Sequence, residues 1–317
     1  MLKTQQCNIE KAHPGNAFWH DACTDGGMKP RHSPNKPKDA PFEVGPTART
    51  GWCVQPGRIN LVRPAPTSRI VRLRCKRKQI DFDLTRSALV VIDMQNDFCH
   101  PLGWFGQKGI DVAPMRAPIP VIARLLPLWR ASGGQVVWLN WGIRADRLNL
   151  PPMVHYTGKR SAQAVGYGET SPVDRGRSLV SGEWGAQIVD ELTHADNDVC
   201  VNKHRLSGFW DNELDSVLRG LGIHTLFFAG VNTDRCVFST LQDAGFLGYD
   251  CVLVSDACST PSPRYVSRAV HYIVDLLHGF LCTSAALERA IVSAGAADSA
   301  RPTLPVPPAS NTSRSSP

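Results

Sequence analysis

The sequence predicts a three-layer α/β/α domain built on a mostly parallel sheet of six strands. Two observations point to this fold class. Apolar runs alternate along the chain with helical patterns, and the runs lack the alternation of apolar and polar residues that marks half-exposed strands. Strands that are apolar along their whole length are typical of parallel sheets, because helices cover both faces of such sheets.

Six apolar runs supply the predicted strands, and four segments between them show helical spacing. The strands are residues 88–94, 135–140, 199–203, 225–231, 250–256 and 279–283. The helices are residues 122–129, 214–221, 236–246 and 265–277. Gly133, Gly222 and Gly248 follow three of the helices, at positions where glycine is the preferred C-terminal cap.

The folded domain is predicted to span residues 75–295. Residues 1–74 are dense in Pro, Gly, Lys, Arg and Asn without sustained periodicity, and residues 296–317 are rich in Pro, Ser and Thr. Such segments bury too little apolar surface to offset their ordering entropy, so we expect a disordered extension and a disordered tail. Within the domain, residues 141–185 form a long polar segment, and long ordered loops of this kind tend to be functional.

The composition is that of a globular protein, with 42% hydrophobic and 20% charged residues. The formal net charge of +7 invites a nucleic-acid interpretation, but much of the excess lies in one basic run at 69–78 without interleaved aromatic residues. Such a run is more often solvated than part of a binding surface. We therefore place this run outside the fold and expect no nucleic-acid partner.

The ten cysteines are scattered along the chain, with no CxxC pair and no metal-ligand spacing. Cys200 and Cys251 lie in apolar strand-like runs, where a thiol behaves as a small hydrophobic group. We therefore expect a reducing, cytoplasmic setting. No stretch approaches the roughly 18 apolar residues of a membrane span, so we expect no membrane partner and a homo-oligomer free in solution.

Chemically reactive side chains follow three of the predicted strands. Asp93 ends the first strand, Lys203 ends the third, and Cys236 begins the helix after the fourth. Ligands of open parallel sheets bind outside the carboxyl ends of the strands, so we expect these side chains to meet at one edge. The sequence thus brings together a carboxylate, an ammonium and a thiol.

These three groups have the chemistry of a nucleophilic hydrolase. A thiol at a helix start faces the positive end of the helix dipole, and a neighbouring lysine would lower its pKa further, so we expect a stabilised thiolate. The aspartate can take the thiol proton and later pass it to a leaving amine. Taken singly, Asp93 could cap a turn, Lys203 could end a surface strand and Cys236 could be a core thiol. Their joint placement favours catalysis.

Several motifs resemble those of the isochorismatase-like cysteine hydrolases. The first-strand motif LVVIDMQNDF at 89–98 and the nucleophile motif at 230–237 are similar to those of this superfamily, and Lys203 falls where the superfamily has its lysine. The segments that resemble the branch of ureidoacrylate amidohydrolases and biuret hydrolases are 184–192, 203–210 and 214–219. The resemblance covers about residues 83–287 and implies an isochorismatase-like hydrolase fold with a Rossmann-like sheet.

By this resemblance, Cys236 is the nucleophile, Asp93 is the general base and acid, and Lys203 supports both. The resemblance also implies a cis peptide bond between Val231 and Asn232, and an oxyanion hole made by the backbone N–H groups of Asn232 and Cys236. Members of the superfamily often have Ala where this chain has Asn232. This departure changes the polarity of the pocket but keeps the backbone donors.

No catalytic metal or other cofactor is expected. Related nicotinamidases place metal ligands that include a Trp-His pair after the second strand, whereas this chain has Trp141 followed by Gly142. Glycine has no side chain to bind a metal, and neither His100 nor His155 has a partner at a suitable spacing. The loop motifs for dinucleotides and nucleotide phosphates are missing from the sequence as well. We predict that exhaustive chelation leaves turnover unchanged.

The predicted substrate is a small molecule with a C–N bond at a carbonyl carbon. Isochorismatase itself cleaves a vinyl ether and needs no cysteine, so Cys236 favours a C–N bond, and the branch resemblance points to ureido or carbamoyl compounds. The candidate pocket walls, whose aromatic members could equally be ordinary core, are Gln95, Phe98, Asn140, Trp141, Phe209 and Trp210. Two alternatives stay open: a lactam or amide hydrolase of the streptothricin hydrolase kind, and a non-catalytic scaffold whose N-terminal segment recruits a partner.

Overall fold

A computed structural model of the chain describes residues 40–47, 50–63, 66–171 and 173–299, with side chains up to 296. The chain divides into two compact units between Pro64 and Ala65. We expect disorder in residues 1–74 and 296–317. Of these two segments, residues 1–39 and 300–317 lie outside the described residues. No helix within the described ranges is long and apolar enough to cross a membrane.

The strands and helices of the described residues alternate through most of the second unit. The strands are β1 (Phe42–Val44), β2 (Trp52–Gln55), β3 (Arg58–Asn60), β4 (Ile70–Arg74), β5 (Gln79–Asp83), β6 (Ser87–Ile92), β7 (Gln135–Trp141), β8 (Val199–Lys203), β9 (Thr225–Val231), β10 (Asp250–Ser259) and β11 (Phe280–Cys282). The α-helices are α1 (Asn96–Cys99), α2 (Trp104–Gln107), α3 (Ala113–Arg116), α4 (Ile119–Ala131), α5 (Pro152–Gly158), α6 (Leu214–Gly220), α7 (Phe238–Phe246), α8 (Arg264–Ile273) and α9 (Ser284–Ser299). Short 3-10 turns lie at Leu84–Arg86 and Trp184–Ala186, and π-helical turns at Thr233–Val237 and Val274–His278.

The first unit contains a small antiparallel sheet in the order β1-β2-β3. Gln55 pairs with Arg58 around a two-residue turn, in which Pro56 precedes Gly57 with a φ of +70°. Proline followed by a glycine of positive φ is typical of a tight turn. The structure therefore differs here from the disorder expected over residues 1–74, since some of its prolines and glycines shape a hairpin.

The second unit begins before residue 75, where the sequence places the start of the domain. The β4 and β5 strands form an antiparallel hairpin, in which Val71 and Leu73 are fully buried and alternate with exposed residues. Phe82 on β5 extends the same core, with its ring 4.7 Å from that of Phe227. A boundary at residue 75 would therefore remove a core strand. The alternation of this strand is hard to see in the sequence, because Arg72 and Arg74 alternate with the buried residues and make the segment look uniformly charged.

The basic run at 69–78 also belongs to this unit, and does not lie outside the fold as the sequence suggests. Arg72 pairs with Asp81 across the hairpin, with a distance of 2.8 Å from Nε to Oδ1. Arg77 Nε lies 2.7 Å from Oδ2 of Asp275, whose side chain is 3% exposed. Carboxylates of the same chain thus balance part of the positive charge that invites a nucleic-acid interpretation.

The main sheet of the second unit confirms the predicted fold class. It has six strands in the order β11-β10-β9-β6-β7-β8, and every neighbouring pair is parallel. Every residue of β6 and β9 is buried, as expected for strands that are apolar along their whole length. Gly133, Gly222 and Gly248 have positive φ after α4, α6 and α7, as predicted for C-terminal caps.

The strand order reverses between β6 and β9. The β7 and β8 strands lie on one side of β6, whereas β9, β10 and β11 lie on the other. A crevice outside the carboxyl ends of the strands is expected at such a reversal. Gly230 lets the two strands approach closely here, because its φ is +111° and a Cβ would lie 2.1 Å from the backbone oxygen of Ile92.

Candidate active site

Asp93, Lys203 and Cys236 meet beside this crevice. Asp93 follows β6, Lys203 is the last residue of β8, and Cys236 lies in the π-helical turn after β9. Their exposed fractions are 1%, 0% and 4%, respectively. The structure thus places the three residues that the sequence singles out in one buried group.

Asp93 is held by the backbone of β7 as well as by Lys203. Its N–H donates to the carbonyl of Leu139 at 3.0 Å, and its Oδ1 accepts from the N–H of Trp141 at 3.1 Å. Its φ of +52° lies in the left-handed region, which aspartate adopts more readily than most residues. Its Oδ2 lies 3.0 Å from Nζ of Lys203. One carboxylate oxygen is therefore fixed by the backbone, while the other faces the ammonium.

Lys203 is completely buried, and its charge is compensated from three directions. Its Nζ lies 3.0 Å from Asp93, donates to the carbonyl of Arg205 at 3.3 Å, and lies 4.3 Å from the centroid of the Trp141 ring. Because β7 separates β8 from β6, the lysine reaches Asp93 across Trp141, the last residue of β7. A carboxylate, a carbonyl and an aromatic face offset the cost of taking the ammonium out of water.

The turn that carries Cys236 is anchored on both sides of the thiol. The carbonyl of Asn232 accepts from the N–H groups of Arg235 at 3.0 Å and of Val237 at 3.2 Å. The carbonyl of Cys236 accepts from the hydroxyl of Thr240 at 2.6 Å. The peptide bond that enters Asn232 is cis, as the resemblance implies. The backbone around the thiol is therefore fixed before any substrate binds.

Burial controls the protonation of the thiol and the carboxylate. Burial first, and then the Asp93 carboxylate, raise the pKa of Cys236 to about 12, although Lys203 opposes the shift. Burial also raises the pKa of Asp93, against the opposing effects of Lys203 and of a hydrogen bond with Cys236. The direction of the pKa shift of Cys236 is opposite to the thiolate stabilisation expected from the helix start and the lysine. The group that the thiol contacts is the Asp93 carboxylate.

Gln95 fixes the backbone beside the triad. Its Nε2 donates to the carbonyls of Trp141 and Ala186, both at 2.7 Å, and its Oε1 accepts from the N–H of Trp141 at 2.9 Å. These bonds tie the end of β7 to the turn at Trp184–Ala186, and the Gln95 side chain is fully buried. Gln95 therefore positions Trp141 through its backbone.

Asp97 has a similar positioning role two residues further along the chain. Its carboxylate accepts from the N–H of Trp104 at 2.9 Å and from the N–H of Leu179 at 2.6 Å. Gly185 packs so closely that a Cβ there would lie 2.2 Å from this carboxylate. Asp97 thus joins α2 to the long segment after β7, and both of these supply side chains to the cavity described next.

A cavity of about 620 Å³ has Cys236 in its wall. Asp93 and Lys203 do not line it, so a molecule in the cavity would meet the sulfur while the ion pair stays covered. The aromatic residues of the wall are Phe98, Trp104, Phe105, Trp141 and Tyr167. Trp141 and Tyr167 stack with their centroids 5.2 Å apart and an interplanar angle of 18°. The cavity wall is therefore rich in aromatic side chains, and the Cys236 thiol forms part of it.

Comparison with known proteins assigns the family. Residues 87–286 match the isochorismatase domain family. The chain belongs to the isochorismatase family of hydrolases. The match spans the six-stranded sheet and all three residues of the triad, whereas β1 to β5 lie before it.

Solved structures of this fold are similar to the chain over the same region. A cysteine hydrolase from Pseudomonas syringae pv. phaseolicola 1448A shares 25% identity with a TM-score of 0.56, and the match covers 70% of this chain and 98% of that protein. An isochorismatase family protein from Desulfovibrio vulgaris subsp. vulgaris str. Hildenborough shares 30% identity with a TM-score of 0.53, covering 65% of this chain and 98% of that protein. N-carbamoylsarcosine amidase from Thermoplasma acidophilum shares 25% identity with a TM-score of 0.48, covering 63% and 96%.

Two of the six candidate pocket residues of this isochorismatase-family protein line the cavity, namely Phe98 and Trp141. Gln95 is occupied with the backbone bonds described above, and Asn140 is 8% exposed on β7, outside the cavity wall. The structure therefore gives these two polar residues no direct access to a molecule in the cavity.

Phe209 and Trp210 lie in the loop after β8, away from the cavity wall. Phe209 packs against Tyr249, with ring centroids 5.7 Å apart. Trp210 is 59% exposed and donates from Nε1 to Asp243 at 2.7 Å. Their position in a motif next to Lys203 suggested substrate contact. Leu206 of this loop does line the cavity, but Phe209 and Trp210 contact Tyr249 and Asp243 instead.

Several cavity residues are not among the sequence candidates. Tyr167 comes from the long segment after β7, which the sequence indicates as functional without singling out a residue. Lys108 follows α2, Arg160 lies two residues after α5, and Arg235 immediately precedes Cys236. The position of Arg235 beside Cys236 was the available signal, whereas Lys108 and Arg160 meet only through the fold.

The residues that the structure describes offer no cluster of metal-binding side chains. They contain no group of three or more His, Cys, Asp or Glu side chains arranged to hold a metal ion. The cysteines among them are all free thiols. That chelation leaves turnover unchanged stays a prediction, and it rests on Gly142, which follows Trp141 and has no side chain to bind a metal.

Proposed function

We propose that this protein is a cysteine-dependent amidohydrolase that cleaves a C–N bond of a small ureido, carbamoyl or other amide compound. One observation carries the proposal: the Cys236 thiol lines a cavity and contacts the Asp93 carboxylate, which is itself paired with Lys203 at 3.0 Å. A nucleophile, a base and a buried cation in contact are the parts needed for covalent catalysis. The segments that resemble ureidoacrylate amidohydrolases and biuret hydrolases support the ureido or carbamoyl class.

The first half-reaction begins with a proton transfer from Cys236 to Asp93. Because burial raises the pKa of both groups, the thiol keeps its proton until the carboxylate removes it during attack. The sulfur then bonds to the carbonyl carbon, and Asp93 returns the proton to the nitrogen as the C–N bond breaks. Ammonia or an amine leaves, and a thioester or thiocarbamate remains on Cys236.

The second half-reaction uses Asp93 again. With its proton gone to the leaving amine, the carboxylate can take a proton from water as the water attacks the acyl carbon. The C–S bond breaks, the proton returns to the sulfur, and the acid product leaves. The positive charge of Lys203 stabilises the ionised carboxylate in both half-reactions, because the pair is shielded from water.

The proposed oxyanion hole consists of the backbone N–H groups of Asn232 and Cys236. The turn that presents them is anchored through the Asn232 carbonyl and through Thr240. Donors fixed in advance stabilise the negative charge that develops on the substrate oxygen, since they need not reorganise during the reaction.

The test combines turnover with direct detection of the covalent intermediate. The full-length protein is incubated with ureido acids, biuret, primary amides and lactams, and released ammonia or amine is measured. Acid-quenched samples are analysed by intact and peptide mass spectrometry. We expect turnover of at least one compound, together with an acyl adduct on the peptide that contains Cys236.

A matched control separates this thiol from the others. Cys200 is an exposed thiol on β8, so Cys200→Ser should keep both turnover and adduct. Cys236→Ala should lose both. An adduct on a different cysteine would contradict the proposed nucleophile. Preferential opening of lactams would favour the alternative amide class, and binding without release or adduct would favour the non-catalytic scaffold.

A further inference from the structure

Three cationic side chains line the cavity, and no carboxylate does. The cations are Lys108, Arg160 and Arg235, and the described wall residues include no Asp or Glu. Arg235 has a nearby carboxylate, since its Nε lies 3.8 Å from Oδ2 of Asp234. Lys108 and Arg160 form no ion pair with a carboxylate in the described part of the chain. The cavity thus combines an apolar wall with a net positive charge.

Lys108 and Arg160 are brought together from two separate segments. Lys108 follows α2, and its Nζ donates to the carbonyl of Gly158, the last residue of α5, at 2.6 Å. The same Nζ lies 4.6 Å from the centroid of the Trp104 ring. Burial, and then the nearby charge of Arg160, lower the pKa of Lys108. Two like charges therefore lie near each other in the wall, where an anion would relieve their repulsion.

Lys159, the neighbour of Arg160 in the chain, shows the contrast. Its Nζ pairs with Glu169 at 2.7 Å, and Arg147 lies near the same carboxylate. The segment after α5 thus provides a carboxylate for the lysine outside the cavity wall and none for the arginine within it. Cations left without a protein counterion in a substrate cavity are typical of sites for carboxylate or phosphate groups.

The remaining wall indicates the body of the ligand. Trp104, Trp141 and Tyr167 form a continuous aromatic surface, with Tyr167 stacked on Trp141 and 4.9 Å from the ring of Trp104. A cavity of about 620 Å³ is within the range of pockets for drug-sized ligands. A flat ligand with an aromatic ring would use this surface, whereas a compound as small as biuret would leave most of it empty.

We infer that Lys108 and Arg160 are specificity-determining residues that bind the anionic group of the substrate. The inference rests on the proposed function and names its substrate class: a ureido or carboxamide compound with a planar aromatic body and a carboxylate. The carbonyl lies at Cys236, the ring contacts Trp141 and Tyr167, and the carboxylate lies between the two cations. Two cations from different segments thus favour substrates that have a negative charge at a distance from the C–N bond.

The test uses two probes that share the ureidobenzene body, 4-ureidobenzoate with a negative charge and its neutral methyl ester. Binding is measured by calorimetry on full-length Cys236→Ala, which binds without turning the probe over. We expect the acid to bind at least about tenfold more tightly than the ester at low salt, and this preference to shrink as salt screens the cations. Lys108→Met and Arg160→Met, each added to Cys236→Ala, should each reduce the preference about threefold or more.

The matched control is Lys78→Met, which removes an exposed lysine that does not line the cavity. It should keep the preference for the acid. Equal affinity for acid and ester, an unchanged preference in both cavity variants, or binding of neither probe would each overturn the inference.

Hydrolysis by the unsubstituted protein is a separate readout. Tighter binding of the acid without any C–N cleavage in the wider panel would contradict the proposed function while leaving the anion site in place. Cleavage of neutral amides with no preference for acids would support the proposed function and contradict the anion site. The failures of the two proposals are therefore distinguishable.

Discussion

The buried triad and the cationic part of the cavity wall differ in whether their cations have a carboxylate partner. Lys203 and Asp93 are 0% and 1% exposed, and they pair with each other at 3.0 Å. Lys108 and Arg160 are partly or largely exposed, and no carboxylate of the described residues pairs with them. The first pair is complete within the protein, whereas the second lacks a partner of opposite charge.

This difference suggests that bond cleavage and substrate selection depend on different parts of the molecule. The triad is set by strand ends in the six-stranded sheet, and its geometry is fixed by bonds between backbone atoms and the side chains of Asp93 and Gln95. The cations come from segments inserted between strands, after α2 and after α5. Such segments can change with little effect on the sheet, so the same triad can serve other substrates in other chains.

Removal of the nucleophile should have the largest effect. We expect Cys236→Ala to lower kcat/KM by about 10⁴-fold or more, because it removes the proposed nucleophile that contacts Asp93. The melting temperature should change little. Kinetics and circular dichroism on the same preparations provide the measurement. Residual activity within tenfold of the unsubstituted protein would contradict a covalent role for this thiol.

The ion pair should differ from the cavity cations in its effect on folding. Lys203→Met leaves Asp93 buried without a counter-charge, and we expect the free energy of unfolding to fall by about 3–5 kcal/mol. Lys108→Met should change it by no more than about 1.5 kcal/mol, because that lysine is partly solvated, has no paired carboxylate and loses one hydrogen bond, to the Gly158 carbonyl.

A double variant tests whether the loss comes from an unpaired charge. Asp93→Asn combined with Lys203→Met removes both charges and keeps a residue that tolerates positive φ, so it should recover part of the lost stability while remaining inactive. Urea denaturation of the single and double variants gives the comparison. Equal stability of the Lys203 and Lys108 variants would show that the triad pair is not an interdependent buried unit.

The sheet and the triad were predictable because their signals are local. An apolar run that ends in Asp93 or Lys203 identifies both the strand and its end, and parallel pairing then brings the ends to one edge. The hairpin of β4 was missed because Val71 and Leu73 lie between arginines in a segment rich in charge. Its assignment to the core depends on packing that no local pattern shows.

The protonation of Cys236 and the cation pair depend on three-dimensional placement. The helix dipole and the lysine were visible in the sequence, but the burial that outweighs them in raising the pKa of the thiol was not. Lys108 and Arg160 lie far apart in the chain and meet only because α2 and α5 end next to each other. Charge and composition alone give no signal for such a pair.

Gln95 provides a test between positioning and substrate contact. Gln95→Met removes three buried hydrogen bonds to the backbone, and we expect it to reduce the free energy of unfolding by about 2–4 kcal/mol. The fluorescence of the tryptophans should also change as Trp141 loses its support. Phe98→Leu, at a residue that lines the cavity, should mainly raise KM. A pure KM effect of Gln95→Met with unchanged stability would contradict its positioning role.

The pH dependence should give the smallest effect, about tenfold in rate per pH unit on the acid side. Burial raises the pKa of Asp93 above its ordinary value of 3.8, and burial and Asp93 raise that of Cys236 to about 12. The active state therefore has an ionised carboxylate and a neutral thiol.

As the pH falls through the raised pKa of Asp93, the base is protonated and kcat/KM declines, so the midpoint should lie above 3.8. Between about pH 7 and 9 ionisation of the thiol should add no rise in rate, because burial raises the pKa of Cys236 to about 12. The profile is best measured on the methyl ester of the ureidobenzoate or another neutral amide, which does not titrate in this range, together with the rate at which iodoacetamide alkylates Cys236. A rise in both rates between pH 7 and 9 would reveal a thiol with an ordinary pKa, and would contradict the view that the buried triad holds its proton on sulfur until substrate arrives.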